Sequence, residues 1–261
     1  MKVALKKQWI LFCYALSFFS RFPVSQSINF QAFPFHLGNA YLPLVGVMHA
    51  MCWGSVYYLA HMVFDNNISV ILMLFAGVLF TGAFHEDGFA DSCDGFGGGY
   101  NKQQCLAIMK DSQIGSYGTL ALIILFALKI NLLIDLSLQY AEQQYFLFFI
   151  VLINAAVLSR FSVMCLMQTS NYARNEVSKA THVSHRLPRR YFFAALLLSL
   201  FPLYFLPHLW SLVIVGVLAT STLLCRAFFH HKLGGYSGDC LGFAQQLNEL
   251  LILLMIVALS S

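Results

Sequence analysis

Hydrophobic residues run along this chain in long blocks, at roughly 38–64, 68–84, 115–134, 144–168, 191–206, 208–229 and 241–260, separated by short polar links. About 20 apolar residues in a helix rising 1.5 Å per residue cover the hydrocarbon of a bilayer. The pattern therefore predicts an all-α fold, a polytopic integral membrane helical bundle with about seven spans, formed as a single domain over residues 1–261. The fifth block is the weakest, being short and holding Pro202 with Pro207 just behind it, and reads as one half of a broken pair with the sixth. Ahead of the first block, Lys2, Lys6 and Lys7 precede an apolar run from Trp9 to Phe19. That resembles a signal peptide, but Ser20-Arg21-Phe22-Pro23 stands where a small-x-small cleavage site is needed. A retained, short interfacial or re-entrant helix ending near Pro23 is expected.

Composition agrees with this picture. Hydrophobic residues make up 59% of the chain and charged residues only 10%, where a soluble domain carries roughly 25% charged residues. A soluble enzyme, a disordered chain and a disulfide-rich secreted domain are excluded. The net charge of +4 is small and dispersed, so no nucleic-acid partner is expected. Seven cysteines with no C-x-x-C pair suggest neither a disulfide framework nor a thiolate zinc site.

The few charges report topology. The links at 85–114, 169–190 and 230–240 collect Lys102, Lys110, Arg174, Lys179, Arg186, Arg189, Arg190 and Lys232, whereas the alternate links hold Asp65, Asp135 and Glu142 and no Lys or Arg. By the positive-inside rule the basic links face the cytoplasm.

Those same links carry the chemistry. Five of the eleven acids, Glu86, Asp87, Asp91, Asp94 and Asp111, fall in about a tenth of the chain. On a helix, Asp87, Asp91 and Asp94 stand at i, i+4 and i+7, which puts three carboxylates on one stripe. A divalent cation relieves their repulsion, and oxygen-only ligands suit Mg²⁺ or Mn²⁺ better than zinc. Asp87, Asp91 and Asp94, with Glu86, are the expected metal set. The competing interpretation is a solvated acidic loop with glycine turns. Gly88, Ser92, Gly95 and Gly99 form a second, nearly bare stripe that would let a phosphate or a neighbouring helix approach.

The D-x-x-D-G pattern at Asp91–Gly95 suggests transfer chemistry on a pyrophosphate, where metal ions neutralise charge on the leaving group. Downstream, Lys110 is a candidate phosphate ligand or a topological anchor, and Asp111 a candidate base, metal ligand or helix cap. The turn Lys232-Leu-Gly-Gly-Tyr-Ser-Gly-Asp239 offers Lys232, Gly235, Ser237 and Asp239 as a phosphate cradle, or simply links two helices. Arg160 and Arg226 either snorkel to headgroups or meet substrate phosphate. His85, beside the acids, either ligands metal or orients a carboxylate, whereas His182 and His185 are assigned to the membrane interface. Asn248 and Glu249 lie inside the last block, where an ionisable group is a functional candidate by default. No Ser-His-Asp or Cys-His nucleophile set is legible.

Three segments, His85–Gly99, Ile108–Gly118 and Lys232–Asp239, closely resemble the cobalamin synthase family, the adenosylcobinamide-GDP ribazoletransferases. Phe19–Pro23, Leu42–Gly46 and Tyr172-Ala173-Arg174 resemble it too, so the likeness covers nearly the whole chain and adds Arg174 to the substrate-binding candidates. The resemblance implies an inner-membrane enzyme of cobalamin-making bacteria and archaea. It implies transfer of the adenosylcobinamide phosphate moiety from adenosylcobinamide-GDP to a ribose hydroxyl of alpha-ribazole or its 5'-phosphate, with release of GMP and with Mg²⁺ as cofactor. Glu86 stands where the family often has leucine, and Gln113 where it often has arginine. The expected partners are these substrates and the lipid bilayer, with a homo-oligomer as an open option.

Without a nucleophile, direct displacement at phosphorus is expected, with Lys110 and Lys232 on phosphate oxygens and Asp94 or Asp111 as proton acceptor. Two other functions compete. A CDP-alcohol phosphotransferase shares D-x-x-D-G but continues into an Ala-Arg pair, whereas here Phe-Gly-Gly-Gly follows Gly95. A cation transporter would place ionisable groups deep in several spans, and Glu249 is the one acid set clearly deep.

Overall fold

Pairs of local stop signals divide the chain into helices. The computed structural model describes residues 2–140, 145–173 and 184–260. Its helices are α1 (Lys2–Phe19), α2 (Leu42–His61), α3 (Asn66–Thr81), α4 (Phe84–Gly98), α5 (Lys102–Ile108), α6 (Ser116–Tyr140), α7 (Tyr145–Thr169), α8 (Arg189–Leu200), α9 (His208–Leu233) and α10 (Gly238–Ser260). Short 3-10 turns at Phe35–Tyr41 and Phe201–Phe205 lead into α2 and follow α8. Asp65 caps α3 by accepting the Ile68 amide at 2.9 Å, and Asn101 caps α5 by accepting the Gln104 amide at 3.0 Å.

Five segments are long and apolar enough to cross a membrane, Phe35–His61, Ser116–Tyr140, Tyr145–Thr169, His208–Leu233 and Gly238–Ser260, and α3 with α4 makes a sixth if that bent pair counts as one span. This differs from the expected seven at two places. The second block turns by 87° between α3 and α4. Two successive left-handed residues, Gly82 at φ 67° and Ala83 at φ 59°, make that turn, and Ala83 is the one non-glycine residue with positive φ among the described residues. The fifth block is a twelve-residue α-helix continued by a five-residue 3-10 turn starting at Phe201 and Pro202, so it is not one regular span.

The N-terminal helix is longer than its apolar run, with eighteen residues, and buries Leu11, Tyr14 and Ala15. The Tyr14 hydroxyl donates to the Asn29 carbonyl at 2.8 Å and the Tyr14 ring stacks on Phe35. The link at 85–114 is the helical pair α4 and α5 rather than a loop.

α7 is the central post, with sixteen of its twenty-five residues buried. α6 and α9, by contrast, expose Leu120, Ile123, Ile124, Leu212, Leu223 and Leu224, as lipid-facing helices do. Two apolar cores result. One joins α1 to the later halves of α7 and α9 and the start of α10, and the other joins α2, α3 and α6 to the earlier half of α7 and the later half of α10. α4 lies against the first turns of α10, where Gly88 and Gly242 meet: a Cβ on Gly242 would stand 2.8 Å from the His85 carbonyl oxygen and 3.0 Å from the Gly88 Cα. Bare backbone at this crossing lets the acid-bearing helix sit directly on the start of α10.

Candidate active site

The acids of α4 have different fates. Asp87 is exposed and Asp91 half-buried, one turn apart on the same face. Asp94 is buried, and its carboxylate is spoken for. Oδ2 accepts the Gly115 amide at 2.7 Å and Oδ1 accepts the Gly118 amide at 2.8 Å. A Cβ at either glycine would come within 2.4 Å of an Asp94 oxygen, so the motif needs glycine at both places. Asp94 thus caps the 25-residue helix α6 from another element, with its charge on the positive end of the helix dipole. Both carboxylate oxygens are thus engaged in holding the start of α6 on α4.

Glu86 turns inward. Its Oε1 accepts the Gln246 amide at 2.9 Å, and its Oε2 is buried without a partner. Among the described residues no three His, Cys, Asp or Glu side chains are grouped as metal ligands. The expected four-acid set is therefore separated: Asp94 faces α6, Glu86 faces α10, and Asp87 with Asp91 remains as a pair on the accessible face.

The second motif wraps the end of α4. A Cβ on Gly95 would meet the Met109 side chain at 2.6 Å, so the residues after α5 press on the helix. Lys110 and Asp111 follow in an exposed turn, where Asp111 Oδ1 accepts the Gln113 amide at 3.0 Å. The third motif joins the second at Ser237, whose hydroxyl lies 3.7 Å from the Met109 sulfur.

Within the third motif much of the backbone is already paired. Tyr236 donates its amide to the Asn171 carbonyl at 3.0 Å and accepts the Ala173 amide at 2.8 Å. A Cβ on Gly235 would clash with the Asn171 carbonyl at 2.2 Å. Gly235 is there for this close approach. Ser237 is fully buried and caps α10, accepting the Cys240 amide at 3.3 Å and donating to Asp239 Oδ2 at 3.2 Å. Burial, with Tyr172 alongside, pushes the Tyr236 phenol well above its ordinary range. Lys232 and Asp239 are half-buried at the edges of the turn. The Lys102 ammonium, which the sequence pattern marked for topology and not as a phosphate ligand, lies 3.8 Å from where a Cβ on Gly234 would stand.

Arg160 neither snorkels nor reaches this face. It is 1% exposed, donates to the Ala156 carbonyl at 2.9 Å, and lies 3.2 Å from His49 Nδ1 and 3.8 Å from Glu249 Oε2. Lys129, which belongs to no motif in the sequence, donates to Glu249 at 2.6 Å and to Gln246 at 2.5 Å. Gln245 bridges Glu249 at 2.8 Å and Ser159 at 3.1 Å, and Asn248 donates to Ser162 at 2.7 Å. A lone lysine inside a 25-residue apolar helix was the available signal. Buried ionisable groups thus occur in α2, α6, α7 and α10, which the transport hypothesis asked for, but they bond to one another rather than line an open path. Arg226 is exposed and donates to the Thr169 carbonyl at 3.2 Å, and His185 is exposed with its ring 5.4 Å from that of His36. Arg174, Lys179 and His182 lie outside the described residues.

The convergence of the three motif segments at one end of the bundle has a parallel in known sequences. A family model described as cobalamin-5-phosphate synthase matches residues 11–257. The chain belongs to this family. A protein of Shewanella frigidimarina named adenosylcobinamide-GDP ribazoletransferase is 35% identical over 253 residues, covering 97% of this chain and 95% of its own length. Proteins of the same name are 38% identical in Vibrio cholerae serotype O1, covering 99% and 97%, and 35% identical in Ralstonia nicotianae, covering 100% and 98%. No solved structure matches. Family membership across the chain removes the CDP-alcohol phosphotransferase and transporter alternatives.

Proposed function

We propose that this chain is an adenosylcobinamide-GDP ribazoletransferase, working at the cytoplasmic face of the inner membrane and joining adenosylcobinamide-GDP to alpha-ribazole or its 5'-phosphate with release of GMP. The observation that carries the reading is the Gly88–Gly242 crossing, which places the Asp87 and Asp91 face of α4 beside the start of α10 and its glycine turn. The names of the relatives supply the substrates.

Two carboxylates one turn apart, one exposed and one half-buried, fit Mg²⁺, an ion commonly held by one or two carboxylates together with substrate phosphates. Asp87 and Asp91 would hold it, and when bound it would neutralise charge on the pyrophosphate. Lys110, Lys232 and Lys102 bind phosphate oxygens around the turn. Asp94 has a positioning role: it fixes the Ile114–Gly118 turn on α4. Asp111, exposed and adjacent to Lys110, accepts the proton of the ribose hydroxyl. The hydroxyl oxygen bonds to the cobinamide-side phosphorus, the bond from that phosphorus to the GMP oxygen breaks, and GMP leaves with the electron pair. One displacement inverts configuration at phosphorus, whereas a phospho-enzyme route retains it. A chiral phosphorothioate substrate tests this: inversion is expected, and retention or a phosphorylated aspartate would defeat the direct mechanism.

A further inference from the structure

A groove of about 560 Å³ lies between the first turns of α1, the entry to α2 and the start of α8. On α8 it is lined by Arg190, Ala194 and Leu198, which recur every four residues. They form one stripe, leading from a cation to an exposed apolar side chain about 12 Å further along the helix. The other walls include Lys7 on α1 and Ala40 and Leu44 at the entry to α2. The segments that build the groove carry no acid, since the chain has no Asp or Glu before Asp65 and α8 has none. The Lys7 ammonium lies 5.0 Å over the Phe33 ring and the Arg190 guanidinium 5.0 Å over the Tyr191 ring, contacts that hold the two heads without neutralising them. Also on α1, Leu5 and Trp9 are 64% and 59% exposed one turn apart, beside the exposed Lys6. An exposed apolar pair flanked by cations suits a helix lying at a membrane surface. Arg189 and Arg190 open α8 where the basic link ends, which puts its cations at headgroup depth and Leu198 at acyl-chain depth.

We propose that this groove binds one anionic phospholipid of the cytoplasmic leaflet, with its phosphate on Lys7 and Arg190 and one acyl chain laid along Ala194 and Leu198 against Ala40 and Leu44. A zwitterionic lipid brings its own ammonium to two cations that have no acid among them. A free phosphate would answer the charges and leave the apolar stripe bare. Basic pockets between helices on the cytoplasmic side are suited to anionic headgroups for the same reason. The lipid ties α1 to α2 and α8 from outside. None of the lining residues belongs to the three motif segments, so its binding is independent of the transferase reading.

The test uses the full-length protein in detergent, stripped of native lipid. Its unfolding midpoint is measured with added dioleoyl phosphatidylglycerol, dioleoyl phosphatidylcholine or glycerol 3-phosphate. Phosphatidylglycerol is expected to raise the midpoint by several degrees more than either of the others. Lys7→Gln combined with Arg190→Gln should weaken phosphatidylglycerol binding about tenfold or more. Ala194→Trp fills the groove while keeping both cations, and should weaken it as much. An equal shift with phosphatidylcholine or glycerol 3-phosphate, or an undiminished response in either variant, would overturn the proposal. A phosphatidylglycerol with a photoreactive group on its acyl chain needs no variant. Cross-links in the native protein to peptides holding Ala40–Leu44 or Ala194–Leu198 support the site, and cross-links confined to other helices overturn it.

Discussion

Lys129 and Glu249, 120 residues apart in sequence, meet at 2.6 Å in the interior of the bundle with 2% and 1% of their side chains exposed. Removing one partner of a buried pair leaves an uncompensated charge, which typically costs about 3–5 kcal/mol, whereas replacing both with apolar residues costs less. Lys129→Met and Glu249→Leu are each expected to lower the thermal midpoint of the purified protein sharply. The double variant should be more stable than the two losses summed, since Arg160 and Glu86 remain to balance each other. Additive losses would show that the pair is not coupled.

Asp94 and Asp91 lie three residues apart and should fail differently. Asp94→Asn weakens two charge-assisted bonds to the start of α6, so it is expected to cost about 3 kcal/mol of stability along with activity. Asp87→Asn and Asp91→Asn should nearly abolish GMP release while leaving the unfolding midpoint within a few degrees of the parent. Full activity in Asp91→Asn would remove it from the site.

Metal dependence follows from the carboxylate pair. Chelation by EDTA should stop GMP release and added Mg²⁺ restore it, and Asp91→Glu should need more Mg²⁺ for half-maximal rate. Turnover that survives exhaustive chelation would rule out a metal at Asp87 and Asp91.

Proton acceptance is assigned to Asp111 rather than Asp94. Asp111→Asn should lower kcat at least tenfold with little change in either KM. An unchanged kcat in Asp111→Asn would place the base elsewhere.

Sidedness is accessible to cysteine labelling in a background lacking native cysteines. A cysteine at Asn67, exposed at the start of α3, should react with an impermeant reagent added outside the cell, and one at Lys102 should react only after permeabilisation. Labelling at Lys102 from outside would invert the topology.

Fold class, the multi-pass membrane character and the family were legible in the sequence. Each depends on local or statistical features: runs of apolar residues, the 3.6-residue period that lines up Asp87 and Asp91, and long motifs read as strings. What the acids do was not legible. Periodicity puts Asp94 on the same helix as Asp91, but its role depends on amides more than twenty residues away that only the packing of α4 on α6 delivers. The division into candidate spans also needed the structure, because the Gly82–Ala83 bend turns the chain, and the switch to 3-10 geometry at Phe201–Pro202 ends the α-helix, without altering hydropathy. Lys129 shows the limit most directly. As a letter it is one charge in an apolar run, and its stability there comes from Glu249 and Gln246, brought to it by the packing of α10 on α6. Burying a charge is tolerable only when its partner is held at hydrogen-bond distance, and that distance is a property of the tertiary structure.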